Sequence, residues 1–296
     1  MSARVLVTGI TSIHGWPIYT ALRKTLGTQG VYGLRPPKTA APDGENVASV
    51  CMTDTGALAD VRESFRPDLV IHAGGVCDLD VCEERPEWAQ ELNVDGAKNV
   101  TDQFADVPIV FLSTDLVFSG NAHPPRGYTE DCPTDPVSVV GRTFLAAEEE
   151  IARAPRHAIL RLGLPIGDSV QGTKGAVDWI EGRFRRGLRA TLFHDECRSG
   201  IDCDELARCV LEFIERDGQG LYHLGGPRAF SLYEIGQRVL ERGPYDSELL
   251  DTCSRLDEVD GPPRVGNVGL NSNRLETLLG RAIPPCQWET THEARR

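Results

Sequence analysis

The sequence predicts an α/β fold built on a parallel sheet, and three features carry that expectation. Short aliphatic runs of strand length recur through the first half, at residues 5–7, 30–34, 47–52, 67–75 and 107–120. These runs are apolar nearly throughout rather than alternating, which suits strands covered on both faces. Segments of helical period separate them, and strands alternating with amphipathic helices argue for parallel crossovers.

The first unit organises the rest. Val5, Leu6 and Val7 form a buried strand, residues 8–14 a turn, and Ile18, Leu22 and Leu26 one face of a helix. Pro17 falls in the first turn of that helix, where its missing N–H costs nothing. Strand, glycine turn and helix aim backbone N–H groups and a helix N-terminus at one point, the geometry that cradles a phosphate. The motif is Gly9-x-x-Ser12-x-x-Gly15, with Thr11 and Ile13 beside its middle position. Gly9 permits the tight turn and Gly15 a close helix–strand approach. Ser12 stands where glycine usually lets a pyrophosphate near the backbone. Its Cβ crowds that approach, and its hydroxyl can donate a hydrogen bond.

The second strand ends in LRPPK. No acidic residue stands there to hold the two hydroxyls of an adenosine ribose; Arg35 and Lys38 occupy the neighbourhood. They suit a 2′-phosphate, hence NADP over NAD, or equally a solvated basic turn. Residues 39–45 read as loop. The third run leads into TDTGALADVRESF, a helix that Thr53 or Asp54 can cap. PDLVIHAGG is a strand ending in Ala73, Gly74 and Gly75, small residues that let a flat cofactor lie against backbone. Helical segments follow, the first broken by Pro86, and then a strand running into Ser113, Thr114 and Asp115.

Composition narrows the function classes. The chain has 296 residues, is 40% hydrophobic and 25% charged, and carries 44 acidic against 31 basic side chains for a net charge of −13. That length buries a full core, in one large or two closely joined domains. The acidic balance disfavours nucleic acid and anionic membranes as partners. No apolar run is long enough for a membrane span, and no basic-then-apolar leader is present. Nine cysteines without a C-x-x-C pair read as reduced, packing thiols of a cytoplasmic protein rather than a zinc site.

PDLVIHAGG, VCEERPEWAQELNVDGAKN, STDLVFSG and EDCPTDPVSVVGRTFLAAEEE resemble the extended short-chain dehydrogenase/reductase family, in its dTDP-4-dehydrorhamnose reductase branch. The similarity continues through ILRLGLPIG, LFHDECRSGIDCDELA, GLYHLGGPRAFSLYEIG and VGLNSNRLETLLG, so it covers essentially the whole chain. It implies a doubly wound, Rossmann-type dinucleotide-binding domain over residues 1–160. Residues 161–296 would then form mainly a small substrate-binding region, with segments returning to the first domain. It also implies NADP or NAD as cofactor, contacted by Gly9, Thr11, Ser12, Ile13, Gly15, Arg35, Ala73, Gly74, Gly75 and Ser113, and a nucleotide sugar as ligand.

Against the family pattern D-P-x-x-x-Tyr-G-R-x-Lys-x-x-x-E, this chain reads DPVSVVGRTFLAAE over residues 135–148. Asp135, Pro136, Gly141, Arg142 and Glu148 fix the register, so the tyrosine position is Val140 and the lysine position Phe144. The family tyrosine exchanges a proton with the substrate oxygen, and the lysine lowers its pKa and holds the nicotinamide ribose. Valine has no proton to give and phenylalanine no charge. Thr114 matches the family hydroxyl that orients a carbonyl. Asp115 beside it is the substitute acid, with a turn-forming role as the ordinary alternative. Tyr128, the nearest phenol, belongs to a loop.

In the second half, DWIEGRFRRGLR over residues 178–189 is a basic amphipathic segment with Trp179, Ile180 and Phe184 on one face. The resemblance implies that it lines a nucleotide-sugar pocket, with Arg183, Arg185, Arg186 and Arg189 toward a diphosphate; a solvated face is the commoner outcome for such a cluster. Residues 202–215 and 232–240 read as helices, the second capped by Ser231, and 290–296 as a frayed tail. Two functions follow: an atypical or impaired oxidoreductase, or a non-catalytic regulatory protein keeping the cofactor pocket for a protein partner or a second copy. The regulatory β subunits of methionine adenosyltransferase resemble this same branch.

Overall fold

The computed structural model describes residues 3–37, 39, 46–170, 172, 175–257 and 261–288; Lys38, most of the 39–45 loop and the 290–296 tail lie outside them. The first half runs β1 (Val5–Thr8), α1 (Gly15–Leu26), β2 (Val31–Arg35), β3 (Val47–Ser49), α2 (Thr55–Phe65) and β4 (Leu69–His72). It continues through α3 (Leu79–Glu84), α4 (Pro86–Gln90), a π turn (Glu91–Asp95), α5 (Gly96–Gln103), β5 (Ile109–Thr114), α6 (Val139–Ile151) and β6 (His157–Leu162). Pro86 opens α4 after α3 has ended, and the Asp54 carboxylate caps α2 by accepting from the Ala57 N–H at 2.9 Å. The second half holds β7 (Leu164–Ile166), α7 (Ala176–Phe184), β8 (Ala190–Phe193), β9 (Cys197–Asp202), α8 (Cys203–Glu215) and β10 (Gly220–Leu224). After these come β11 (Ala229–Ser231), α9 (Leu232–Arg242), β12 (Leu250–Cys253) and α10 (Asn273–Leu279).

Seven of these strands form one parallel sheet in the order β10-β6-β5-β4-β1-β2-β3. This is the doubly wound, Rossmann-type arrangement. Side chains alternate between two cores. Leu6, Val70, Phe111 and Ile159 face Leu58, Val100 and Ala147 of α2, α5 and α6. Val5, Val7, Ile71, Val110 and Leu160 face Ile18, Leu206, Val210 and Leu275 of α1, α8 and α10. From β1 the chain winds outward to β3, then crosses back to β4 on the other side of β1. Order reverses between β1 and β4, and a crevice opens there beyond the strands' carboxyl ends.

The second half both returns to this sheet and builds a smaller lobe. β10 pairs with β6 at the sheet edge, while α8 and α10 cover a face. The lobe comprises a sheet of order β11-β9-β7, the β12–β8 pair, and α7 and α9, around Ile166, Val177, Ile180, Phe184, Leu192 and Val239. Ser231 and Glu234 close a capping box that starts α9. Trp179 departs from the expected apolar face: Ile180 and Phe184 are buried, but Trp179 is 49% exposed, stacked under Arg183 at 5.1 Å. Positions 180 and 184 are one turn apart, whereas 179 is rotated about 100° from 180 toward solvent. Among the described residues none of the nine cysteines stands in a disulfide, no cluster of ligating side chains could hold a metal ion, and no helix is long and apolar enough to cross a membrane.

Candidate functional site

The glycine turn and the small-residue turn meet in the crevice between β1 and β4. Gly9 has φ +64, and a Cβ there would collide with the Ala73 carbonyl. A Cβ on Gly15 would collide with the carbonyl of Gly9, so α1 leaves directly off the turn. Thr8 ties the two turns together: its hydroxyl accepts from the Gly74 N–H at 3.1 Å and bonds His72 Nδ1 at 2.7 Å. The His14 ring also bonds the Ala73 backbone, and burial lowers its pKa to about 4.

The bonds that close the glycine turn use the amides of Ser12, Gly15 and Trp16, leaving those of Thr11, Ile13 and His14 out. Ser12 turns its side chain inward, where Oγ accepts from the Gly15 N–H at 2.9 Å, and so serves the first turn of α1. Thr11 is buried. The Ile13 side chain packs against Gly175, just before α7, where φ is +104 and any Cβ would strike the isoleucine; the smaller lobe thus reaches over the turn. At the end of β2, Arg35 donates one guanidinium N–H to the Thr39 carbonyl at 2.8 Å.

The β5 exit carries the hydroxyl and carboxyl residues. Thr114 Oγ1 caps the following turn by accepting from the Leu116 N–H at 3.2 Å, and it lies 3.3 Å from Asp115 Oδ1. Asp115 has no exposed surface, and both its oxygens are held by Arg198 of β9: Nε to Oδ2 at 3.0 Å, and Nη2 to Oδ1. Burial pushes its carboxyl above the ordinary carboxylate range while the guanidinium pulls it down. Arg198 stands on β9, so this pair ties the β5 turn to the smaller lobe. Nothing in the sequence marked this arginine, which is 83 positions from its partner.

Helix α6 lies against that exit because residue 141 is glycine, where a Cβ would overlap the Leu116 carbonyl. Ser138 caps it, accepting from the Gly141 N–H at 3.1 Å. Val140 is completely buried. Phe144 is 8% exposed; its ring stacks on Phe111 at 6.1 Å, and Phe111 stacks on His72 at 5.3 Å. The tip of Phe144 comes within 2.9 Å of where a Gly75 Cβ would lie. Asn93, in the π turn, holds the same corner: its amide accepts from the Val76 N–H at 2.7 Å and donates to the Val76 carbonyl and to Thr143 Oγ1 at 2.9 Å each. The signal for Asn93 is a polar residue on a buried helical face, in a local π widening of the sort that often accompanies sites.

Ser113 is tied through its hydroxyl to α6. Its hydroxyl donates to Glu148 Oε1 at 2.5 Å, and Glu148 receives a two-pronged contact from Arg161 on β6, Nε at 2.9 Å and Nη2 at 2.7 Å. Tyr128 stacks on Phe118 at 4.2 Å, and burial raises its pKa further from neutrality. The arginines of residues 183–189 are engaged locally: Arg183 Nε bonds the Arg189 carbonyl, Arg185 pairs with Glu181, and Arg189 pairs with Asp251 at 3.0 Å.

Three histidines make stability fall with acid. Burial lowers His14, His72 and His223 from 6.5 to about 4. The folded state therefore binds fewer protons than the unfolded chain between those values. Their contribution is complete above pH 6.5 and is lost as pH falls toward 4. At pH 5 each removes roughly 2 kcal/mol. Urea unfolding should show that decline between pH 7 and 5, made shallower by His223→Gln; equal stability at both pH values contradicts it.

A family model, the RmlD substrate binding domain, matches residues 3–294. The chain belongs to the RmlD substrate binding domain family. Across the RmlD family and its relatives, the chain is 27% identical over 312 residues to methionine adenosyltransferase 2 subunit beta of Danio rerio, covering 99% of this chain and 92% of that protein. It is 25% identical to the probable low-salt glycan biosynthesis reductase Agl14 of Haloferax volcanii, covering 95% and 94%. In fold it matches the dTDP-4-dehydrorhamnose reductase of Bacillus anthracis in complex with NADP, with a TM-score of 0.83 and 20% identity over 98% and 97% of the two chains. This RmlD-family chain carries valine at position 140 and phenylalanine at position 144, both buried.

Proposed function

We propose that this chain binds a nicotinamide dinucleotide in the β1–β4 crevice and has impaired reductase chemistry toward a nucleotide-linked keto sugar. The observation that carries the reading is Val140 and Phe144 packed into the core beside the turns of residues 9–15 and 73–75. The fit for a dinucleotide rests on Gly9, on Gly15, whose missing Cβ lets α1 leave directly, and on the amides of Thr11, Ile13 and His14. The turn from Ala73 to Gly75 offers backbone alone. Arg35 suits a 2′-phosphate, which favours NADP. When bound, the cofactor supplies hydride.

The chain's own residues supply little else. Thr114 can orient a carbonyl oxygen, but a hydroxyl does not release its proton near neutral pH. Asp115 is committed to Arg198, so its part in this reading is to hold that guanidinium at the cleft. Phe144 offers the nicotinamide ribose an apolar ring where an ammonium would donate hydrogen bonds. Free thiols fit a cytoplasmic setting. The same losses suit a chain whose bound dinucleotide serves a protein partner, in line with the subunit name of the Danio rerio relative.

The test is turnover of NADPH with dTDP-4-dehydrorhamnose, against a family reductase that has the tyrosine and lysine. Loss of the general acid predicts a rate ~10²–10⁴-fold lower. Comparable rates would mean that another residue carries the proton.

A further inference from the structure

We infer that the protein has a second ligand site, for a small neutral apolar molecule, at the end of the sheet opposite the crevice. A cavity of about 370 Å³ lies there between the C-terminal ends of α1 and α8, beneath the first residues of β1, β4, β5 and β6. Such a volume is within the range of natural small-molecule pockets, ~300–1,000 Å³.

The cavity has a cause in the sequence. Along β5, β6 and β10 the register aligns Val110, Ala158 and Gly220, so side chains shrink toward the sheet edge just where the two helices end. The floor of α1/α8 packing is therefore incomplete there, and Leu22, Leu26, Leu69, Leu211 and Ile214 wall an aliphatic hollow. The hollow is open at its polar rim and aliphatic at its floor, the mix of apolar walls and few polar groups that takes up small apolar molecules.

The rim selects the charge of the occupant. Asp68, Glu215 and Asp217 contribute three carboxylates to the lining, against Arg156 alone. Arg156 is already paired with Asp217 at 3.2 Å, and Asp68 with Arg4 at 3.7 Å. Among the described residues of the lining no cation is spare to receive a carboxylate or sulfonate, and His157 turns its Nδ1 to the Ala154 carbonyl, so a fatty acid or other anionic amphiphile is disfavoured. Neutral aromatic or terpenoid molecules meet no such penalty.

The experiment titrates the full chain with N-phenyl-1-naphthylamine, a neutral probe that fluoresces in apolar surroundings, and with its anionic counterpart 8-anilinonaphthalene-1-sulfonate. Saturable binding of the neutral probe is expected, at least tenfold tighter than the sulfonate and unaffected by excess NADP. Leu211→Trp, or Gln219→Trp at the exposed rim, should weaken it tenfold or more while the circular dichroism spectrum stays unchanged. The proposal is overturned if the neutral probe does not saturate, if NADP displaces it, if the sulfonate binds as tightly, or if both folded variants keep the parental affinity. Displacement by NADP would assign the probe to the crevice and leave the dinucleotide reading intact.

Discussion

Val140→Tyr combined with Phe144→Lys is expected to raise ketone-reductase turnover by ~10²–10⁴-fold over the native chain, the range that a positioned acid supplies. Neither change alone should do so. Tyrosine without the lysine keeps its proton too tightly, and lysine without tyrosine has none to position. The packing predicts an accompanying cost. Val140 has no exposed surface, so a phenol there overfills the site by about 1–3 kcal/mol, and the assay belongs well below the lowered melting temperature. Steady-state kinetics of the two single variants and the double variant decide the matter. A double variant that binds dinucleotide and keto sugar yet gains nothing would move the defect to the substrate lobe and favour the partner-binding reading.

Arg161→Met should be the most damaging single change behind the site. Arg161 and Glu148 side chains are only 5% and 7% exposed, and the Ser113 hydroxyl also donates to the carboxylate. Removing the arginine strands a buried negative charge, a loss of about 3–5 kcal/mol. Adding Glu148→Leu to that variant should recover most of it, because an apolar pair has no charge to desolvate. Urea unfolding of the single and double variants measures both. A single-variant loss under about 1 kcal/mol would show that water or a rearranged neighbour reaches Glu148. The pair also fixes α6 to β5 and β6, which sets the register in which Val140 and Phe144 face the core.

What the sequence revealed and what it hid divide along sequence distance. The strands and α1 were legible because their signals are local: an aliphatic run at Val5, the 3.6-residue period of Ile18 and Leu22, glycines where backbone passes backbone. The proposed loss of a proton-transfer pair is read equally locally, since Gly141, Arg142 and Glu148 fix the register of the family pattern without a gap. Partners across the fold were not. Arg198 lies on both oxygens of Asp115, and Glu148 accepts from the hydroxyl of Ser113. Both partners come from other elements of the fold, and a residue's own neighbourhood in sequence carries no trace of them. Trp179 turns to solvent because apolar character alone does not fix which side of a short helix faces inward. The cavity under α1 and α8 arises from small side chains on adjacent strands, Ala158 and Gly220, that only strand register brings together.

The central claim is a dinucleotide crevice retained after its proton-transfer pair has gone, and calorimetric titration of the purified chain with NADP and NAD tests it most directly. Saturable binding of both is predicted, with NADP tighter through Arg35. Each hydrogen bond that Phe144 fails to offer the ribose is worth about 1 kcal/mol, so affinity should be roughly tenfold below that of tyrosine- and lysine-bearing relatives. Absence of saturable heat with either dinucleotide at millimolar concentration would contradict the account.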